Sequence, residues 1–280
     1  MARIVLVTNF SAASRNALDY TCRFLEKSKA SLLLLNIFSF TGPISDDGIA
    51  LAAMSDVIYN DDLKLEAEEK WVRTNFPTVK VSREMETGVF MDILRAKAAD
   101  PETAFLVIGA RGGYNDLLSW EVNIVEAFVD LRKPVLVVPE QLVYKPIEKI
   151  AFACNYYRDN LAPAATVLEK IVRFTGASLT VMHVKPPNEI VTEEANANKT
   201  ALQEQLAPLH PTYVEPEFTQ IIAAIDKYTA AEKIDLLVVI PSRHGIWDGI
   251  FKRTHTTDIV HLNHLPLLSL RQTAAFPEAE

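Results

Sequence analysis

Short apolar runs alternate with longer amphipathic stretches along the whole chain. Residues 3–8, containing Ile4-Val5-Leu6-Val7, form a β-rich run. Ser11 follows as a helix N-cap, and Ala13, Ala17, Leu18, Cys22 and Leu25 recur near helical spacing, which predicts a helix from Ala12 to Lys27. Ser31 to Phe38 reads as a second strand, and Leu51 to Asn75 as a Glu- and Lys-rich helix stopped by Pro77. Val79 to Glu84 alternates like a half-buried strand. A helix over Val89–Ala99, a strand over Phe105–Ile108, a helix over Trp120–Leu131 and a strand over Val135–Val138 complete this half. The second half predicts strands at 149–154, 178–184, 212–215, 235–240 and 266–270. Helices are expected at 160–174, 193–206, 219–231 and 255–262.

The chain repeats itself. Arg3-Ile4-Val5-Leu6-Val7-Thr8-Asn9 resembles Lys149-Ile150-Ala151-Phe152-Ala153-Cys154-Asn155, at an offset of 155 − 9 = 146. Ala30-Ser31-Leu32 recurs as Ala177-Ser178-Leu179, at an offset of 177 − 30 = 147. Phe105-Leu106-Val107-Ile108 recurs as Leu237-Val238-Val239-Ile240, and Lys133-Pro134-Val135-Leu136 as Leu265-Pro266-Leu267-Leu268, both at 266 − 134 = 132. The shortening falls where the first half carries extra residues, notably Thr41 to Ala53. Ordered matches at a fixed spacing are the signature of a duplicated unit.

Short strands that are apolar throughout, separated by helices, indicate parallel strands covered on both faces. Each half is therefore expected to be a doubly wound α/β layer with a five-stranded parallel sheet, forming two domains at 1–140 and 149–272. Residues 141–148 would be the linker and 273–280 a tail. Ligands of such sheets bind beyond the carboxyl ends of the strands. The last strands, Val135–Val138 and Leu267–Leu270, are expected to pair or pack across the seam between the halves, since an open edge leaves N–H and C=O groups unpaired.

Composition narrows the function. A formal charge of −8 argues against broad binding to nucleic acid or to an anionic membrane. Ile4–Val7 is too short for a signal-peptide core or a membrane span, and no later stretch reaches about 18 apolar residues, so a cytoplasmic protein is expected. Cys22 and Cys154 cannot make a disulfide framework or a zinc ribbon, and their apolar contexts predict buried, inert thiols. His261-x-x-His264 could share a helix face, but Asp258 is the only nearby carboxylate, so no metal site is expected. Tyr156-Tyr157 sits at a strand end, where packing is the simpler role.

The opening Val7-Thr8-Asn9-Phe10-Ser11, the segment Val107-Ile108-Gly109-Ala110-Arg111-Gly112 and the closing Lys133-Pro134-Val135-Leu136-Val137-Val138-Pro139 resemble the universal stress protein family in its tandem form. The resemblance covers nearly the whole chain. It implies a Rossmann-like, adenine nucleotide alpha hydrolase-like fold in both halves. Nucleotide-binding members carry an Asp at the end of the first strand, then Gly-x-x-Gly, nine residues and Gly-Ser/Thr. A carboxylate can accept from a ribose, and glycines let backbone N–H groups approach phosphate at a helix N-terminus.

Here Asn9 and Asn155 replace the Asp. Gly109-x-x-Gly112 is kept, but Val122-Asn123 follows nine residues on, or Glu121-Val122 when counted back from Pro134. The second half has Ser242-x-x-Gly245 and then His255-Thr256, or Arg253-Thr254 by the same back-count from Pro266. By resemblance the first-half candidate site comprises Thr8, Asn9, Ile37, Gly109, Arg111 and Gly112. That of the second half comprises Asn155, Val184, Ser242, Arg243, Gly245, Thr254 and Thr256. The second loop is the more basic, carrying Arg243, Lys252 and Arg253 against Asp248, and it suits a phosphate better.

Three functional classes follow. The first is a non-enzymatic stress-adaptation protein with degenerate nucleotide sites and no required cofactor, acting through self-association and protein partners. The second is a sensor holding ATP or AMP in one half, the second half being better suited. The third is an enzyme acting on a nucleotide. It is disfavoured because the sequence has no Ser-Gly-Gly-x-Asp-Ser loop, no metal triad and no Gly-x-Ser-x-Gly elbow.

Overall fold

The computed structural model describes residues 2–39, 48–111, 124, 126–128, 130–157, 161–184, 191–216, 221–241 and 264–270. The first half runs β1 (Arg3–Thr8), α1 (Ala12–Leu25), β2 (Ser31–Phe38), α2 (Gly48–Asn75), β3 (Lys80–Thr87), α3 (Phe90–Ala99), β4 (Thr103–Ala110) and β5 (Val135–Pro139). Residues 124, 126–128 and 130, ahead of β5, are helical. The second half runs β6 (Lys149–Ala153), α4 (Ala162–Thr175), β7 (Ser178–Met182), α5 (Glu193–Leu206), β8 (Thr212–Val214), α6 (Ile221–Glu232), β9 (Leu236–Val239) and β10 (Leu267–Ser269). The expected helix 255–262 and most of the insertion after Thr41 lie outside the described residues.

The strands lie in the order β3-β2-β1-β4-β5-β10-β9-β6-β7-β8. Within each half all neighbours are parallel, and β8-β7-β6-β9-β10 repeats the order β3-β2-β1-β4-β5. The two five-stranded layers are not separate sheets, and here the two-sheet expectation is corrected. β5 and β10 pair antiparallel in the register Leu267↔Val137, Leu268↔Leu136 and Ser269↔Val135, which closes one continuous sheet of ten strands. The physical reason is the one that predicted pairing: each half ends on an apolar edge strand, and each edge satisfies the other.

Alternation within the strands builds two cores, one on each face. Ile4 and Leu6 of β1 point to the face covered by α1 and α2, with Leu18, Leu34, Leu65 and Val72. Val5 and Val7 point to the opposite face, with Phe90, Leu94, Phe128 and Leu131. Both layers run through the two halves: Phe152, Leu168 and Leu268 join the first, and Ala151, Ile225 and Leu267 the second.

The connection between the halves is held at both ends. Asn16 Nδ2 donates to the carbonyls of Pro139 (2.8 Å) and Leu142 (2.9 Å). Buried Asp235 accepts from the backbone N–H of Glu148 (3.0 Å) and Lys149 (2.9 Å) and pairs with Lys145 Nζ at 2.6 Å. Aromatic contacts close the seam above the β5–β10 pair: Phe24 of α1 lies 5.2 Å from Phe174 of α4, and Tyr20 lies 5.1 Å from Tyr144, edge to face.

Candidate functional site

In both halves the strand order switches direction beside the first strand, between β1 and β4 and between β6 and β9. The carboxyl ends there are where an open α/β sheet receives ligands. Because the halves pair antiparallel, their carboxyl ends point to opposite edges of the molecule.

In the first half, β1 ends on Thr8, which is fully buried. Its Oγ1 accepts from Phe10 N–H at 3.1 Å and lies 3.3 Å from Ser14 Oγ. Phe10 adopts a positive φ of 62°, which turns the chain sharply into α1. Asn9 Oδ1 accepts the N–H of Ser11 at 3.2 Å, and Ser11 Oγ accepts that of Ser14 at 3.2 Å, capping the helix as its position predicts. Asn155, the counterpart of Asn9, makes the same turn by accepting Tyr157 N–H at 3.0 Å. A neutral amide oxygen that already serves its own turn thus stands where a free carboxylate would offer about four acceptor sites.

Gly109 is used for packing. A Cβ on it would meet the Ala13 carbonyl oxygen at 2.2 Å and Ser14 N at 2.7 Å, so the first turn of α1 rests directly on β4. Arg111 is exposed and reaches Glu140 at 4.0 Å. Ile37 and Val184 are buried core residues of the α3 face. Gly112, Ser242, Arg243, Gly245, Thr254 and Thr256 lie outside the described residues, as do the residues in register with the missing Gly-Ser pair.

The second strands add a motif that the sequence reading missed. Asn36, on β2, donates from Nδ2 to the Thr8 carbonyl at 2.9 Å. Its counterpart, His183, directly after β7, places Nδ1 3.2 Å from the Cys154 carbonyl. A carbonyl only accepts, so Nδ1 of His183 carries a proton. Tyr156 covers that imidazole, with ring centroids 4.6 Å apart, and Asn198 of α5 donates to the Tyr156 carbonyl at 3.0 Å. Tyr156 is buried, so the second-half corner is filled by the two rings, tilted 38° to one another. The offset of 147 that aligns Ala30 with Ala177 also aligns Asn36 with His183, but two different side chains gave no signal of a shared hydrogen bond.

A second missed group is Glu68 of α2, which is 5% exposed and lies 4.0 Å from Arg15. Its signal lay in the spacing Leu65, Glu68, Val72, Phe76, which puts an acid in the buried stripe of a helix.

The described residues contain no group of three or more His, Cys, Asp or Glu able to hold a metal ion. His264 instead links Thr229 and Asp226: Nε2 is 3.3 Å from Thr229 Oγ1, and Nδ1 is 3.6 Å from Asp226 Oδ1. The order hydroxyl–imidazole–carboxylate is that of a nucleophilic triad. Thr229, however, is fully buried within α6 and donates to the Asp226 carbonyl at 3.0 Å, so it cannot meet a substrate. Both cysteines are buried, and burial pushes each thiol up to about 12.

No protein-family model and no curated protein sequence matches the chain. Solved structures do match. A universal stress protein from Archaeoglobus fulgidus aligns with 97% of this chain and 98% of its own, at 16% identity and a TM-score of 0.68. A functionally unknown protein from Pseudomonas aeruginosa aligns with 97% of this chain and 93% of its own, at 13% identity and a TM-score of 0.51. A universal stress protein family protein from Arabidopsis thaliana with AMP bound aligns with 50% of this chain and 92% of its own, at 16% identity and a TM-score of 0.34. That likeness is too loose to bear on the site. The fold is therefore that of a universal stress protein in tandem form, with both halves in one chain. Among the described residues no helix is long and apolar enough to cross a membrane.

Proposed function

We propose that the chain is a cytoplasmic, non-enzymatic tandem universal stress protein whose nucleotide sites are degenerate, and that it acts through protein association. The observation that carries this reading is the same in both halves: the polar groups at the end of the first strand are spent on the fold. Asn9 and Asn155 hold their own turns, and Asn36 and His183 tie the second strand to the first. Tyr156 then fills the second corner. No required cofactor is part of this reading. The β5 and β10 edges are consumed inside one chain, so association between chains would use the outer strands or the helices.

The competing reading is an adenine-nucleotide sensor, and the preserved switch point at β1 and β4 favours it. Isothermal titration of the full chain with ATP separates the two. The expected outcome is no binding tighter than about 10 μM, which is roughly −7 kcal/mol. One adenine nucleotide per chain released from the purified protein by acid would establish the sensor instead.

A further inference from the structure

Glu68 and Asp235 are the buried carboxylates among the described residues, and they are treated differently. Asp235 has two backbone N–H donors and an ammonium. Glu68 has Arg15 at 4.0 Å from Oε1, and its Oε2 has no partner. Asn36 Oδ1, on the strand beside Thr8, is also buried without a partner. Asn36 cannot be turned over to relieve this, because its Nδ2 must face the Thr8 carbonyl. Glu68 Oε2 and Asn36 Oδ1 are thus two buried acceptor oxygens without a donor.

The pseudo-symmetric position shows what such a place accommodates. The buried stripe Leu65, Val72, Phe76 of α2 corresponds to Ala195, Leu202, Leu206 of α5 at a constant offset of 206 − 76 = 130. Glu68 therefore corresponds to residue 68 + 130 = 198, which is Asn198. Asn198 is neutral and donates to the turn after the first strand of its half, at the Tyr156 carbonyl.

We propose that Glu68 is held as the neutral carboxylic acid in the folded protein, which spares the fold a buried carboxylate with an unpartnered oxygen, and that its ionisation loosens α2 from the β1–α1 turn. The surrounding charges oppose this less than burial favours it. From α1, Arg15 stands 4.0 Å away, is 42% exposed and lies over the Trp71 ring at 4.2 Å. From α2 itself, Lys64 lies over Phe10, and Glu69 pairs with Arg73 and Arg83. β3 brings Arg83, which is bound to Asp62 and Glu69, while β1 and β2 bring only Thr8 and Asn36. Burial pushes the Glu68 carboxyl above the usual range, against smaller opposing effects of the nearby Thr8 hydroxyl and Arg15.

The sign follows from linkage. An acid raised in the folded state contributes stability that is complete below its unfolded value of about 4.3 and is lost as pH rises through the raised folded value. Alkalinisation therefore releases α2, and acidification clamps it. This device is independent of whether either half binds a nucleotide.

The test uses the full chain and Glu68→Gln, which keeps the shape and supplies a permanent donor. The variant should melt about 2–4 °C above the parent at about pH 8, with the gap closing towards about pH 4. Amide exchange in α2, corrected for intrinsic rates, should rise with pH in the parent and not in the variant. A variant that melts below the parent at about pH 8 would overturn the proposal. So would parent stability that rises with added potassium or sodium chloride but not with choline chloride, since a bound cation would then balance an ionised Glu68. Should the variant fail to fold, the 13C carboxyl resonance of Glu68 in the parent decides. It should remain that of the acid to a higher pH than those of exposed glutamates, and titration together with them would refute the assignment.

Discussion

A methyl group at position 109 would have nowhere to go. The atoms it would meet, Ala13 C at 2.4 Å and O at 2.2 Å, belong to the backbone of α1 and cannot rotate away. Gly109→Ala should cost about 1–3 kcal/mol, read as a lower urea midpoint with an unchanged slope. A midpoint equal to the parent's would show that α1 can lift off β4. The sequence presents Gly109 as part of a phosphate-loop pattern, and one residue type serves both purposes, so packing could not be told from ligand approach. The cysteines were more legible, because apolar neighbours on both sides predict burial. Neither Cys22 nor Cys154 should react with a thiol reagent in the native protein at about pH 8, and both should react in denaturant. Rapid native labelling would contradict the burial seen here.

Elements were read best where their limits are set locally. Ser11 caps α1 through a hydrogen bond three residues away, and Ser11→Ala should cost about 1 kcal/mol, measured by the same urea titration. A neutral substitution would mean that Ser14 Oγ, which bonds the Ser11 carbonyl at 3.0 Å, already holds the turn. Limits set by partners were read less well. β3 runs to Thr87 instead of Glu84 because β2 continues beside it, pairing Met85, Glu86 and Thr87 with Asn36, Ile37 and Phe38. The greatest departure from internal symmetry is α2, with 28 residues against 14 in α5. The extra length is at the N-terminal end, beyond Lys64, whose ammonium lies 5.3 Å from the Phe10 ring at the end of β1. Periodicity predicted the helix. Its overhang at the site depends on the direction in which α2 crosses the sheet, which only the assembled fold supplies.

At the scale of the whole molecule, the duplication ends in a structure that cannot be divided at its linker without exposing core. Both apolar layers cross the seam, and Val135 N–H is satisfied by Ser269 Oγ at 3.0 Å. A seam cavity of about 20 Å³, lined by Tyr20, Phe24, Leu136, Ile147 and Leu268 among others, has no polar lining and room for a single water-sized sphere, so it holds no ligand. The pairing of the last strands was legible because an open apolar edge is costly. Its product, a single sheet, was not drawn from that same argument. Leu268 sits at the centre of the seam, opposite Leu136 and 3% exposed. Leu268→Lys would bury an ammonium among aliphatic side chains and aromatic rings, a lining that contains no carboxylate. It should destabilise the entire chain by about 3–5 kcal/mol, and Val137→Lys on the opposite face should do the same. Both cores span the halves, so the loss should appear as one lowered transition and not as a separate early melt of the second half. A variant that melts like its parent while changing only its elution volume would mean that β5 and β10 pair between chains in solution, and that the seam is an intermolecular contact.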